Sequence, residues 1–127
     1  MNVLLDTHTA IWVLTDNQKK LSTQAHRSIS RATQVFMSTA SAWELAIKVG
    51  NGKLNFEGGA KNFIQQLEDN GVLILPIRYE HIIQAESLPH HHRDPFDRLL
   101  VATAMHENLT IITADQNIPA YGVPVIW

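Results

Sequence analysis

Pro95 constrains this chain more than any other single residue. It stands in HHHRDPFDRLLVATAM at 90–105, between two acids and ahead of a long apolar run. Proline lacks the amide that a helix leaves unpaired in its first turn, so the stretch reads as a helix start. Asp94 then fits the N-cap and Asp97 the third helical position. At 3.6 residues per turn, Asp97 shares a face with Leu100, Val101 and Ala104. A carboxylate leading an apolar stripe points to the interior or to a cleft. Either the helix uses it as a cap, or something cationic in the cleft does.

The rest of the chain alternates short apolar runs with helical patterns. Val3 to Leu5 (closed by Asp6), Val35 to Met37, Val72 to Leu75, Leu109 to Ile112 and Val123 to Ile126 read as strands. Runs this apolar suit a parallel sheet buried on both faces, and Pro124 places the last strand at an edge. Helical patterns cover 8–14, 23–32 (capped by Ser22), 42–49, 60–69 and 79–88, the last amphipathic through Ile82, Ile83 and Ala85. Asp16 to Lys20, Lys53 to Gly59, and Pro89 with His90, His91 and His92 read as connections. The expectation is one α/β domain over 1–127, with a mainly parallel central sheet of about five strands flanked by helices.

At 127 residues, 45% hydrophobic and 17% charged, the chain is long and apolar enough for one real core. The absence of cysteine excludes disulfides and thiolate zinc sites and fits a reducing cytoplasm. No apolar run approaches the ~20 residues of a membrane span, and an N-terminus with Asp6 in its apolar stretch and no basic start is a poor signal peptide. A net charge of -2 argues against a broadly basic nucleic-acid surface. Any such binding needs a local patch or a metal.

Parallel sheets carry their sites where the strands end and the next helices begin. Four of the twelve acids fall there. Asp6 follows the first strand, Glu44 opens the helix after the second, Asp97 opens the helix before the fourth, and Asp115 follows the fourth. Four converging carboxylates repel one another unless a cation relieves them, and hard divalent ions prefer oxygen ligands. Each acid also has a purely local reading. Ser41 and Glu44 match a capping box, Asp97 pairs with Asp94 at a helix start, and Asp6 and Asp115 suit turns.

LLDTHTAIW at 4–12, SAWELAIKVGNGKL at 41–54, HRDPFDRLLVATA at 92–104, TIITADQNI at 110–118 and YGVPVIW at 121–127 together resemble a PIN domain. The likeness is to the VapC-type toxins of bacterial type II toxin–antitoxin pairs, and it runs in order along essentially the whole chain. Ile118 stands where an aromatic residue is frequent, and the histidine run is longer than the pattern requires. The resemblance implies a three-layer PIN-like fold and a metal-binding quartet of Asp6, Glu44, Asp97 and Asp115. Thr7 and Thr113 match hydroxyl positions beside it. It further implies endonucleolytic hydrolysis of RNA with one or two Mg²⁺ or Mn²⁺ ions, products with a 5′-phosphate and a 3′-hydroxyl, a homodimer, and inhibition by a cognate VapB-like antitoxin.

Arg93, Arg98 and Lys48, with Lys53 and Arg78 further off, are candidates for binding the phosphate backbone. Arg93 and Arg98 also suit ion pairs with the acids, and Lys48 a helical pair with Glu44. Three adjacent histidines favour a solvated loop over a metal site, although their position allows contact with phosphate. Trp12 and Trp43 read as core or interface residues. His8, two residues after Asp6, removes the second acid that a haloacid-dehalogenase phosphatase needs there. A non-catalytic PIN-like interaction module would share the fold, and a receiver-like signalling domain would share the acidic pocket. The intact quartet speaks against the module. The chain lacks the adjacent acids and the lysine that a receiver needs.

Overall fold

In the computed structural model Val3, Leu4 and Leu5 are completely buried, as the centre of a sheet demands. The structure describes residues 1–15 and 17–127; Asp16, read within the polar connection at 16–20, lies outside the described residues. Five strands, β1 (Asn2–Leu5), β2 (Gln34–Ser38), β3 (Leu73–Leu75), β4 (Thr110–Ile112) and β5 (Val125–Ile126), form one sheet in the order β3-β2-β1-β4-β5. Every pairing is parallel. The order differs from the 2-1-3-4-5 of receiver domains, which removes the receiver reading. β5 is an edge strand, as Pro124 requires; the Pro124 carbonyl accepts from Ile111 N at 2.9 Å, so the missing amide costs no ladder bond.

Six helices flank the sheet: α1 (Thr7–Leu14), α2 (Thr23–Arg31), α3 (Thr39–Gly50), α4 (Gly59–Asp69), α5 (Tyr79–Glu86) and α6 (Pro95–Glu107). The two-residue period of β1 divides the core. Val3 and Leu5, with Met37 and Ile112, pack against Ala10 and Ile11 of α1, Ala25 of α2, Leu45 of α3, and Phe63 and Leu67 of α4. Leu4, with Ile111, packs against Leu100, Val101 and Ala104 of α6. Among the described residues no helix is long and apolar enough to cross a membrane.

Two helices depart from the sequence reading. α3 begins at Thr39 rather than 42, because Ser38 ends β2 and caps the helix itself, its Oγ accepting from Ala40 N at 3.0 Å. The Ser41–Glu44 capping box therefore does not form, and Glu44 lies inside the helix. α5 stops at Glu86 and turns much of its apolar surface outward: Tyr79 is 72%, Ile82 56% and Ile83 61% exposed. Trp43, read as core or interface, is 61% exposed on α3 and is not core.

Polar clamps hold α5 in place. His81 is fully buried; its Nδ1 accepts from Arg78 N at 3.2 Å and its Nε2 lies 2.9 Å from Glu107 Oε1 on α6. Arg98 of α6 reaches back beneath the end of α5. Its Nη2 donates to the carbonyls of Ala85 (2.9 Å) and Leu88 (3.1 Å), and its Nη1 to the carbonyl of Pro89 (2.8 Å) and to Tyr121 Oη (3.3 Å). Arg98 is thus a staple that ties the end of α5 and the segment after it to α6, so its guanidinium, read as a phosphate binder or an ion-pair partner of the acids, is engaged by carbonyls and Tyr121.

Replacing Arg98 by Met removes the guanidinium bonds to the Leu88 and Pro89 carbonyls and to Ala85, whose carbonyl keeps the Leu88 amide, and is expected to cost about 2 kcal/mol of unfolding free energy in urea. Arg98→Lys should recover little of it, since one ammonium cannot reproduce the planar fork. Wild-type stability in both variants would return Arg98 to the surface role.

Candidate metal centre

The strand order reverses between β1 and β4, and the crevice above their carboxyl ends is where such a sheet opens to ligands. Leu5 pairs with Ile112, so Asp6 and Thr113 emerge side by side. Thr113 Oγ1 donates to Asp6 Oδ2 and accepts from Asp115 N at 3.0 Å. Asp6 Oδ1 accepts from Thr9 N at 2.8 Å, so Asp6 caps α1 while facing the crevice. Asp115 likewise serves its turn through Oδ1, which accepts from Asn117 N at 2.9 Å, and leaves Oδ2 for the crevice.

Glu44 arrives from the interior of α3. Thr7 Oγ1 donates to its Oε1 at 2.6 Å, and Lys48 Nζ, one helical turn on, to its Oε2 at 2.8 Å. Asp97 arrives on the first turn of α6. The cap of that helix is Asp94, whose Oδ1 accepts from Phe96 N (2.8 Å) and Asp97 N (3.3 Å). A reciprocal box between Asp97 and Asp94 does not form, because Asp94 N donates instead to His92 Nδ1 at 3.1 Å. Asp6, Glu44, Asp97 and Asp115 thus line one cleft of about 300 Å³, together with Asp94, Thr7 and Lys48. His8, Ala114 and Trp12 complete its wall; the Trp12 ring leans on Trp127 at 5.7 Å.

Asp97 carries the strain of this crowding. Burial pushes its carboxyl up to about 7; Asp94 adds to the rise, the nearby His92 opposes it, and Glu44 and Asp115 raise it further. Lys48 is held above its ordinary value by the hydrogen bond to Glu44, against its partial burial and with the attraction of Glu44, Asp94 and Asp97. Burial lowers the His92 pKa, but the bond to Asp115 and the charges of Asp97, Asp115 and Asp94 outweigh it and raise the net value. An added proton would land on Nδ1, however, which already accepts from Asp94 N. In the neutral ring, that bond places the proton on Nε2.

An all-oxygen set of carboxylates in one crevice matches a hard divalent cation, and a cation there would relieve the repulsion that keeps Asp97 from ionising. The facing atoms of Asp97, Asp115 and His92 all lie within 4.8 Å of one another. Asp6 and Glu44 each retain lone pairs beyond the bonds described above.

Several sequence-based roles change. His92 is not part of a solvated loop: its Nε2 lies 2.8 Å from Asp115 Oδ2 and 3.2 Å from Asp97 Oδ2. His90 and His91 are exposed as expected, His91 stacking edge-on against Tyr121 at 4.9 Å. Thr113 is buried with its hydroxyl committed to Asp6 and Asp115, so it positions acids rather than touching a substrate. Thr7 does the same for Glu44. Lys48 is on the cleft wall and Arg93 is exposed at the head of α6. Lys53 and Arg78 do not line the cleft; Arg78 faces Glu80 at 3.7 Å and Glu107 at 4.0 Å. His8 and Trp12 on the cleft wall, and His92 beside its acids Asp97 and Asp115, are residues that pattern reading missed. For His92 the sequence signal was its place two residues before the cap of α6, which forces it beside that helix's first turn.

Comparison with known proteins agrees with this geometry. The chain is 29% identical over 129 aligned positions, 98% of each chain, to Ribonuclease VapC22 of Mycobacterium tuberculosis. Among solved structures it resembles VapBC2 of Rickettsia felis bound to a promoter DNA fragment (TM-score 0.68, 12% identity, 98% of this chain and 97% of that one). It also resembles a toxin–antitoxin complex from Klebsiella pneumoniae (TM-score 0.67, 16% identity, 98% and 96%). At such identities these structures speak for the fold. The sequence model of the PIN domain matches residues 3–124, and the chain belongs to the PIN domain family.

Proposed function

We propose that residues 1–127 act as a single-domain VapC-type toxin, a metal-dependent endoribonuclease that hydrolyses RNA phosphodiester bonds. The observation that carries this reading is the convergence of Asp6, Glu44, Asp97 and Asp115, from four distant segments, on one cleft at the reversal of strand order. In it, Asp6, Asp97 and Asp115, with Glu44, hold Mg²⁺ or Mn²⁺. Bound there, such an ion supplies a water acidic enough to attack near neutral pH and stabilises the departing oxygen. The chain's own part is to hold the carboxylates: Thr113 orients Asp6, and Thr7 and Lys48 fix Glu44. Lys48 and Arg93 are the cations placed to meet phosphate oxygens.

A VapB-like antitoxin that blocks the cleft, a homodimer and a cytoplasmic location complete the reading. Toxin–antitoxin complexes among the structural relatives support the first. The outward apolar residues of α5 support a second copy as a neighbour. A chain with no cysteine and no spanning helix among its described residues is compatible with the cytoplasm.

The test is cleavage of total RNA with Mg²⁺ or Mn²⁺, against EDTA controls. Asp97→Asn and Asp6→Asn should fall to the EDTA background with unchanged circular dichroism; asparagine keeps the α1 cap that alanine would remove. Full activity in either variant ends the assignment.

The raised Asp97 carboxyl has a second consequence. Its folded pKa of about 7 exceeds its ordinary 3.8, so between those values the folded chain binds the proton more tightly than the unfolded one. Metal-free protein should therefore lose stability as pH rises from about 4 through about 7, relative to Asp97→Asn. Saturating Mg²⁺ should remove the difference. Parallel urea titrations in EDTA and in Mg²⁺ check both statements.

A further inference from the structure

His92 is fixed more firmly than a loop histidine needs to be. Its backbone amide donates to Tyr121 Oη at 2.8 Å, which ties it to the segment after β4. Its Nδ1 accepts from Asp94 N at 3.1 Å. With Nδ1 acting as acceptor, the neutral ring must carry its proton on Nε2. That single N–H faces Asp115 Oδ2 at 2.8 Å and Asp97 Oδ2 at 3.2 Å.

Two consequences follow from the tautomer. A protonated Nε2 has no lone pair for a metal, so His92 cannot act as a ligand in this arrangement. And one ring nitrogen, hydrogen-bonded to the carboxylate on the turn after β4 and 3.2 Å from the one on α6, stands between the two. Each carboxylate oxygen keeps further lone-pair directions, so the bond to His92 does not exclude a cation on the cleft side. The chain uses the same lock elsewhere: Arg78 N donates to His81 Nδ1, and His81 Nε2 faces Glu107. There it joins two helices through one carboxylate.

We propose that His92 is a positioning residue of the metal centre, whose Nε2–H holds Asp97 and Asp115 at the separation from which both reach one divalent cation. The inference rests on the reading that these acids bind a cation. It assigns His92 to the layer behind the ligands, where such donors are typically worth ~10- to 100-fold in metal affinity.

The experiment is calorimetric titration of the full chain with Mn²⁺, for wild type, His92→Ala and His92→Gln. His92→Ala should bind Mn²⁺ about 10- to 100-fold more weakly. His92→Gln, which retains an N–H donor, should recover part of that loss. In wild type, ¹⁵N spectra of the imidazole should show the Nε2–H tautomer both without Mg²⁺ and at saturation. Unchanged affinity in His92→Ala would overturn the proposal. Tighter binding would overturn it too, since His92 would then compete with the cation. Loss of the Nε2 proton on adding Mg²⁺ would make His92 a ligand and also overturn it; this readout needs no variant to fold. Failure of the wild type to bind Mn²⁺ or Mg²⁺ would instead overturn the metal-site reading beneath it.

Discussion

Mutual repulsion among half-buried carboxylates is the interaction on which the rest of this structure depends. Five acids, Asp6, Glu44, Asp94, Asp97 and Asp115, line one cleft, and Lys48 is the cation among its lining residues. Left unpaired, such charges would not stay ionised. The fold answers mainly with fixed neutral donors, and with one counter-charge, Lys48 on Glu44. Thr113 serves Asp6, Thr7 serves Glu44, the first amides of α6 serve Asp94, and the His92 N–H serves Asp115, with Asp97 Oδ2 3.2 Å from the same nitrogen. Neutral donors orient the carboxylates without neutralising them. The carboxyl of Asp97 is pushed up to about 7, by its burial first and by the neighbouring acids after it. Unresolved charge is concentrated at the head of α6, where the helix N-terminus also favours an anion.

The scaffold explains why the acids meet. β1 and β4 are central, parallel and in register at Leu5 and Ile112, so the residues that follow them emerge as neighbours although they are far apart in sequence. β2 runs directly into α3 through Ser38, without a loop, and this short entry carries Glu44 toward the same edge. α6 packs on the opposite face through Leu100, Val101 and Ala104, and its first turn overhangs the crevice. Placement follows from strand order and helix starts, which tolerate wide sequence change. The same overall fold is accordingly retained at 12% and 16% identity to the solved relatives.

What the sequence revealed were features encoded locally. Pro95 marked the start of α6 and Asp94 its cap; Pro124 marked an edge strand; Asp6 and Asp115, after the first and fourth apolar runs, marked the sheet edge. Features that depend on side chains meeting across the fold were not legible. Arg98 looked like a surface cation beside an acidic site, and only the close approach of α5 and α6 shows its guanidinium filled by carbonyls. Ile82 and Ile83 fit a helical apolar stripe, yet His81 occupies the buried side of α5 and turns them outward. The Ser41–Glu44 pair matched a capping box by spacing alone, but Ser38 reached the helix first. His92 was hidden by its neighbours, since among three consecutive histidines only its distance from the cap residue Asp94 distinguishes the one whose ring turns inward.

Charge balance also links the site to its polyanionic substrate class. Among the residues lining the cleft that faces an incoming phosphodiester there is one lysine against five acids, and Lys48 is already paired with Glu44. A bare cleft of this kind repels RNA, and the overall charge of -2 provides no compensating basic field. In the function proposed above, a divalent cation held between the acids would supply the missing positive potential as well as the chemistry. It would also let Lys48 divide its attraction between Glu44 and an approaching phosphate oxygen. The feature that makes the crevice costly to fold, several carboxylates with too few cations, is on that proposal the same one that would call for a metal ion before a polyanion could bind.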